Sequence, residues 1–177
     1  MSSPMPNKVQ SGARLRILGI DPGYDRLGIA VIEKPTKGKE TVLYSSCLQT
    51  SSKEDIYSRF KKVGMEVDRV FNEYKPDVLA IENLFITKNQ KTAMRVSEIR
   101  GIIMHEAIKR DIPIFEYTPM EIKVAVTGDG SSDKSRIIKM VDLLVAMTKK
   151  KRVDDEYDAI AVALTHAARG GLRRQGE

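Results

Sequence analysis

Residues 15–33 read LRILGIDPGYDRLGIAVIE. Two apolar, β-branched runs, 15–21 and 27–33, flank Pro22-Gly23-Tyr24-Asp25-Arg26, a turn-forming group of hairpin length. They predict two antiparallel strands. A third run, 41–48, follows the Pro35/Gly38 loop and completes a three-stranded meander. Ser51 or Ser52, with Glu54 or Asp55 three residues on, is a helix-capping signal. Ile56, Phe60, Val63, Val67, Val70 and Phe71 then recur at helical spacing, so a helix is predicted from about 53 to 74. After Lys75-Pro76, the continuous apolar centre of DVLAIE (77–82) suits a strand buried on both faces. Ala93, Val96, Ile99, Ile103 and Ile108 predict a helix over 92–109, and a short strand follows at 112–117. Thr118-Pro119-Met120-Glu121 presents an N-cap, a proline at the first helical position and a glutamate three residues after the cap, a strong helix start. Two further helices are predicted, one from Ser132 to Met147 and one from Asp154 to Arg169, the latter stopped by Gly170-Gly171. The order β-β-β-α-β-α-β-α-α-α predicts an α/β fold: a mixed sheet that starts antiparallel and is covered by crossover helices.

The chain has 177 residues, the size of one domain, and its 41% hydrophobic and 31% charged composition is that of an ordinary globular fold. The longest apolar runs fall far short of the ~18 residues that a membrane span requires. Residues 1–14 are polar and lack the apolar stretch of a secretory signal, so they read as a disordered tail, and 170–177 as a basic tail. A cytoplasmic location is expected. One cysteine, Cys47, excludes an intrachain disulfide and a Cys-rich zinc site, and two histidines make an imidazole-built metal site improbable. Thirty Lys and Arg against 24 Asp and Glu leave +6, which favours a polyanionic partner without establishing one. The charges gather in three sets: Lys88, Lys91, Arg95 and Arg100; the run 149–152; and Arg169, Arg173 and Arg174.

The acids are more telling. Asp21 ends the first strand and Glu82 the fourth, so both side chains emerge at one sheet edge if those strands are neighbours. Asp155 and Asp158 are three apart on the last helix and project from the face that must pack on the sheet. Carboxylates within about 5 Å repel by about 1 kcal/mol in water and several times that in an interior. Protonating one member offsets this, and so does a hard divalent cation with an all-oxygen shell, for which magnesium or manganese is the natural occupant. Any single one of these acids could be a surface carboxylate; four aimed at one spot are not readily explained that way. Residues 128–135 (GDGSSDKS) approach the nucleotide P-loop pattern, but Asp133 stands where the last glycine belongs and would face the phosphates. What remains is a Gly-rich turn into a helix N-terminus with Lys134 in its first turn, suited to one backbone phosphate.

ILGIDPG (17–23), AIENLFITKN (80–89) and DEYDAIAVALTH (155–166) resemble, in order and spacing, the three acidic motifs of the RuvC-type Holliday junction resolvases. Arg100-Gly101, FEYTPMEIKVAVTG (115–128) and 132–135 extend the resemblance over about 15–169. It implies a ribonuclease-H-like fold with a five-stranded mixed sheet flanked by helices, a homodimer, and Mg²⁺-dependent cleavage of four-way junction DNA in recombination and repair. Two Mg²⁺ per site are implied, with Mn²⁺ as a substitute, and docking to a branch-migration complex is implied by the family alone. Carried over by position, Asp21, Glu82, Asp155 and Asp158 become the catalytic metal ligands, Lys123 and Lys134 match basic residues near the scissile phosphate, and Phe85 matches a junction-binding aromatic. Lys88, Lys91, Arg95 and the 149–152 run would then meet the phosphate backbone. That run is a departure, as relatives tend to have prolines there. Asp154 is an extra acid, and either it or Asp155 could cap the helix while the other reaches the metal. His166 is expected to be structural.

A four-way junction is two-fold symmetric, so a C₂ dimer places one site on each of two strands. The interface is expected on the 92–109 helix, through Met94, Val96, Ile103 and Met104. Three other readings are an RNA-processing nuclease of the same superfold, a junction-binding module without catalysis, and an actin-like ATPase, which also begins with a Gly-Ile-Asp strand but needs a second half that 177 residues do not accommodate.

Overall fold

The computed structural model describes residues 14–51, 53–84 and 90–169. The expectations for both tails, Ser52, Phe85 and Lys88 fall outside them. The described elements follow the predicted order: β1 (Leu15–Asp21), β2 (Arg26–Lys34), β3 (Thr41–Gln49), α1 (Ile56–Tyr74), β4 (Val78–Glu82), α2 (Gln90–Ile108), β5 (Ile114–Tyr117), α3 (Pro119–Thr127), α4 (Lys134–Leu144) and α5 (Asp154–Arg169). They form one five-stranded sheet in the order β3-β2-β1-β4-β5. β1, β2 and β3 are antiparallel, whereas β4 joins β1, and β5 joins β4, in parallel. Parallel neighbours need crossovers, and α1 and α2 supply them.

Side chains alternate across the sheet, and this alternation decides where the acids point. Ile17 of β1, Ala30 and Ile32 of β2, and Val78 and Ala80 of β4 pack under α3, α4 and α5. Leu18, Ile20, Ile29, Val31, Leu79 and Ile81 face the other way, under α1 and α2. Asp21 is in phase with Ile17, and Glu82 with Val78 and Ala80, so both carboxylates belong to the α5 face. Gly28 pairs with Asp21 across β1 and β2. α5 lies unusually close to the sheet: a Cβ added to Gly19 would stand 2.3 Å from the Ala159 carbonyl oxygen, and one added to Gly28 2.2 Å from that of Asp155. Only glycine permits this approach, and it brings the first turn of α5 down onto the ends of β1 and β2.

Three of the boundaries that differ from expectation have a visible cause. α1 starts at Ile56 rather than about 53, because the Asp55 side chain takes the cap and accepts from the amides of Tyr57 and Ser58. α4 starts one residue after Asp133, its N-cap, and stops at Leu144 rather than Met147. Val145 turns extended and Ala146 joins the sheet edge, its amide donating to Glu40 O at 2.7 Å and its carbonyl accepting from Val42 N at 2.8 Å. The Thr118/Glu121 capping box opens α3 as predicted, and Gly128, in the left-handed region at φ 76°, closes it.

Part of the α2 stripe expected at a dimer interface is taken up inside the chain. Ile103 is buried in the core shared with α1 and Met104 packs against that core, because the crossover helix must cover its face of the sheet, while Val96 is buried beside the smaller recess at the end of β4. Met94 remains exposed. Arg100, grouped by sequence with the outward-facing basic set, is also buried.

Candidate active site

β1 and β4 end side by side, with Ile20 opposite Ile81, so Asp21 and Glu82 leave adjacent strands at the same edge. Their carboxyl groups are near enough to perturb each other's ionisation. α5 delivers Asp158 to the same place, and a cleft of about 340 Å³ is lined by Asp21, Glu82, Asp158, Lys123, Ser132 and Lys134. A second cleft, of about 240 Å³, opens on the other side of Asp21 and Glu82, toward Asn83, Leu84 and Thr92. The paired carboxylates therefore stand on a ridge between two recesses.

Electrostatics set this group apart. Burial, then the charges of Glu82, Asp158 and Asp155, push the Asp21 carboxyl up to about 8, against a weaker downward pull from Lys134. Glu82 is raised by burial and Asp158, and Asp158 by burial first, although Lys134 opposes it. A buried acid surrounded by three others is a donor set short of positive charge.

Two cations hold the α5 acids. Lys134 Nζ lies 3.0 Å from Asp158 Oδ2 and 3.4 Å from Asp154 Oδ2. Arg26, at the start of β2, reaches Asp155 Oδ2 at 2.5 Å, and the Cys47 thiol lies near the same pair. Asp155 is thus near enough to raise Asp21 but turns toward Arg26 and does not line the larger cleft. Asp154 is exposed and meets Lys134. As the side chains stand, no group of three or more His, Cys, Asp or Glu among the described residues is gathered closely enough to hold a metal ion. The donor chemistry still fits a hard cation: the oxygens are all carboxylate and Asp21 is short of compensating charge.

Sequence reasoning missed Arg26 and Arg100. Arg100 donates to the Glu82 carbonyl oxygen and pairs with Glu116, fixing the end of β4 from beneath. No periodicity distinguishes such arginines from solvated ones. His166 is buried, and Tyr117 OH lies 2.8 Å from its Nδ1; burial first, then Lys34, lowers it to about 4, as befits a neutral core histidine. Lys123 lines the cleft, whereas Lys91 and Arg95 lie on α2 away from it, with Arg95 paired to Glu98 at 2.9 Å.

Comparison with known proteins gives this geometry its context. The family model described as crossover junction endodeoxyribonuclease RuvC matches residues 17–166. The protein of that name from Thermosipho melanesiensis is 42% identical over 149 residues, covering 84% of this chain and 94% of that protein. Its namesake from Alkaliphilus oremlandii is 42% identical over 156 residues, covering 88% and 94%. Among solved structures, RuvC of Thermus thermophilus in complex with a Holliday junction substrate superposes with a TM-score of 0.81 at 29% identity, over 88% of this chain and 94% of that one. The yeast mitochondrial Holliday junction resolvase Ydc2, at 17% identity and a TM-score of 0.66 over 90% and 82% of the two chains, shares the fold. The chain belongs to the RuvC family of crossover junction endodeoxyribonucleases.

Proposed function

We propose that this chain is a structure-selective endonuclease that resolves four-way DNA junctions in recombination and repair. It would act as a cytoplasmic homodimer, making paired symmetric cuts that leave 5′-phosphate and 3′-hydroxyl ends. The observation that carries the reading is the convergence of Asp21, Glu82 and Asp158 on one cleft beside Lys134, in a chain whose family is that of crossover junction nucleases. No helix among the described residues is long and apolar enough to cross a membrane.

Asp21, Glu82 and Asp158, with Asp155 beside them, would hold two Mg²⁺, for which Mn²⁺ would substitute. Bound there, the metal supplies Lewis-acid polarisation of the phosphate and eases the deprotonation of water. The chain does the rest. Lys134 and Lys123 would neutralise charge growing on the phosphoryl oxygens, as preorganised electrostatics require. Lys134 is held in readiness by Asp158. Asp158 would accept a hydrogen bond from the attacking water and so orient it toward the phosphate. Arg100 would fix the Glu82 backbone against the sheet edge. Phe85 and Lys88, by their place in the second acidic motif, and Lys91 and Arg95 on α2 would contact DNA.

The test is a synthetic four-way junction incubated with Mg²⁺, with and without chelator, alongside linear duplex of the same arms. Junction cleavage should need the metal and fall at least about 10³-fold in Asp21→Asn, since proton transfer and binding alone recover little. Sedimentation of the same protein should give the mass of a dimer. Equal cutting by Asp21→Asn would overturn the site assignment.

A further inference from the structure

A third recess, away from the carboxylates, is built by the segment that replaces the end of α4. Because Ala146 pairs with the β3 edge, residues 145–152 are pinned across the sheet margin, and a cleft of about 730 Å³ opens between them, α4 and α5. Its charged lining is one-sided: Lys149, Lys150, Lys151 and Arg152 from the segment, Lys39 from the β2–β3 loop, and Asp142 as the sole carboxylate. Asp142 accepts a hydrogen bond from Tyr157 OH at 3.2 Å.

The five cations are not equivalent. Lys150 is committed internally, with its ammonium 2.8 Å from Glu156 Oε2 and donating to Ser45 O at 2.8 Å. Arg152 is anchored through Nε to Ser45 Oγ at 3.0 Å and through Nη1 to Thr148 O at 3.0 Å. These contacts fix the segment. Lys39, Lys149 and Lys151 are exposed and carry no ion pair to a carboxylate among the described residues. Three clustered ammonium groups over a fixed floor repel one another, an arrangement that a polyanion relieves and water only screens.

The position relative to the active site selects the ligand. Lys134, at the start of α4, lines the catalytic cleft, and Asp142, eight residues on, lines this one. At 1.5 Å per residue the separation along the helix is about 12 Å, the span of three to four phosphates at about 3.4 Å per nucleotide of duplex. Tyr157 and Asp158 are consecutive on α5 yet line the basic and catalytic clefts respectively, so the two clefts flank adjacent faces of that helix, about 100° apart around its axis. We propose that this basic cleft is a second backbone-binding site, in which Lys39, Lys149 and Lys151 grip phosphates of the junction arm leading away from the scissile position.

This inference rests on the nuclease reading above, and its test separates the two. Binding of a four-way junction is measured in chelator over a series of KCl concentrations for the parent, for Lys149→Gln, for Lys149→Gln/Lys151→Gln, and for Lys61→Gln on α1 as a single-charge control on the opposite face. Two lost phosphate contacts should make the slope of log K against log salt shallower by about 1.8, and Lys39→Gln should add a further ~0.9. Lys61→Gln should leave both the slope and junction cleavage unchanged, and every variant should keep the parent melting temperature. An unchanged slope in the double variant, or an equal change in Lys61→Gln, would overturn the cleft assignment while leaving the nuclease reading intact. Loss of junction cleavage in the parent protein would instead remove the reading on which it rests.

Discussion

At the scale of the residue, Asp21 concentrates the conflict between stability and function. Its folded-state carboxyl, held near 8 by burial and neighbouring acids, keeps its proton where the unfolded chain has lost it. A raised carboxyl stabilises the fold below the unfolded value near 4, and that contribution is lost as pH climbs from about 4 to 8. Without divalent metal, the protein should therefore lose stability over this window, and Asp21→Asn should not. At pH 8 the variant should melt several degrees higher than the parent, and the gap should narrow as the pH falls to 5. Thermal melts in chelator at the two values check this. A variant that melts lower than the parent at pH 8 would mean that the Asp21 charge is compensated by something other than metal.

At the scale of the element, the site depends on how closely α5 lies on β1 and β2. Gly28 is where that closeness is most exposed to change, since an added Cβ would meet the Asp155 carbonyl oxygen at 2.2 Å. Backbone cannot yield there without lifting the first turn of α5 and its acids. Gly28→Ala should cost about 1–3 kcal/mol by overpacking and lower junction cleavage at least 10²-fold, as displacements near 1 Å do in positioned sites. Melting and single-turnover cleavage measure the two effects, and parent-like cleavage would show that the close approach does not set the geometry. Much of this was legible in the residues. The strand-ending acids could be paired because β1 and β4 have unambiguous apolar runs, and the alternation within them assigns Asp21 and Glu82 to one face. The end of α4 was not, because residues 145–147 keep an apolar pattern while the sheet edge draws them out of the helix. Arg26 and Arg100 were not either: a guanidinium is recognisable as a carboxylate's partner only once the fold has carried it there.

At the scale of the whole molecule, two layers of helix divide the work. α1 and α2 close one face of the sheet with Val63, Val67, Ile99 and Ile103, and contribute no ligand to the carboxylate cleft. The other face carries α3, α4 and α5, and every basic group lining the two charged clefts comes from that side or from the β2–β3 loop that borders it. A molecule with +6 net charge thus gathers Asp21, Glu82 and Asp158 in one recess and exposed lysines in another beside it, the pattern expected of a protein that binds a polyanion and reacts with one of its phosphates. The convergence of acids on divalent metal is the claim on which the whole account turns. Anomalous diffraction from crystals soaked in Mn²⁺ tests it most directly: density should appear within about 2.5 Å of oxygens from Asp21, Glu82 and Asp158 and vanish in Asp21→Asn. Density confined to other surface acids, or none at a concentration that supports cleavage, would contradict it.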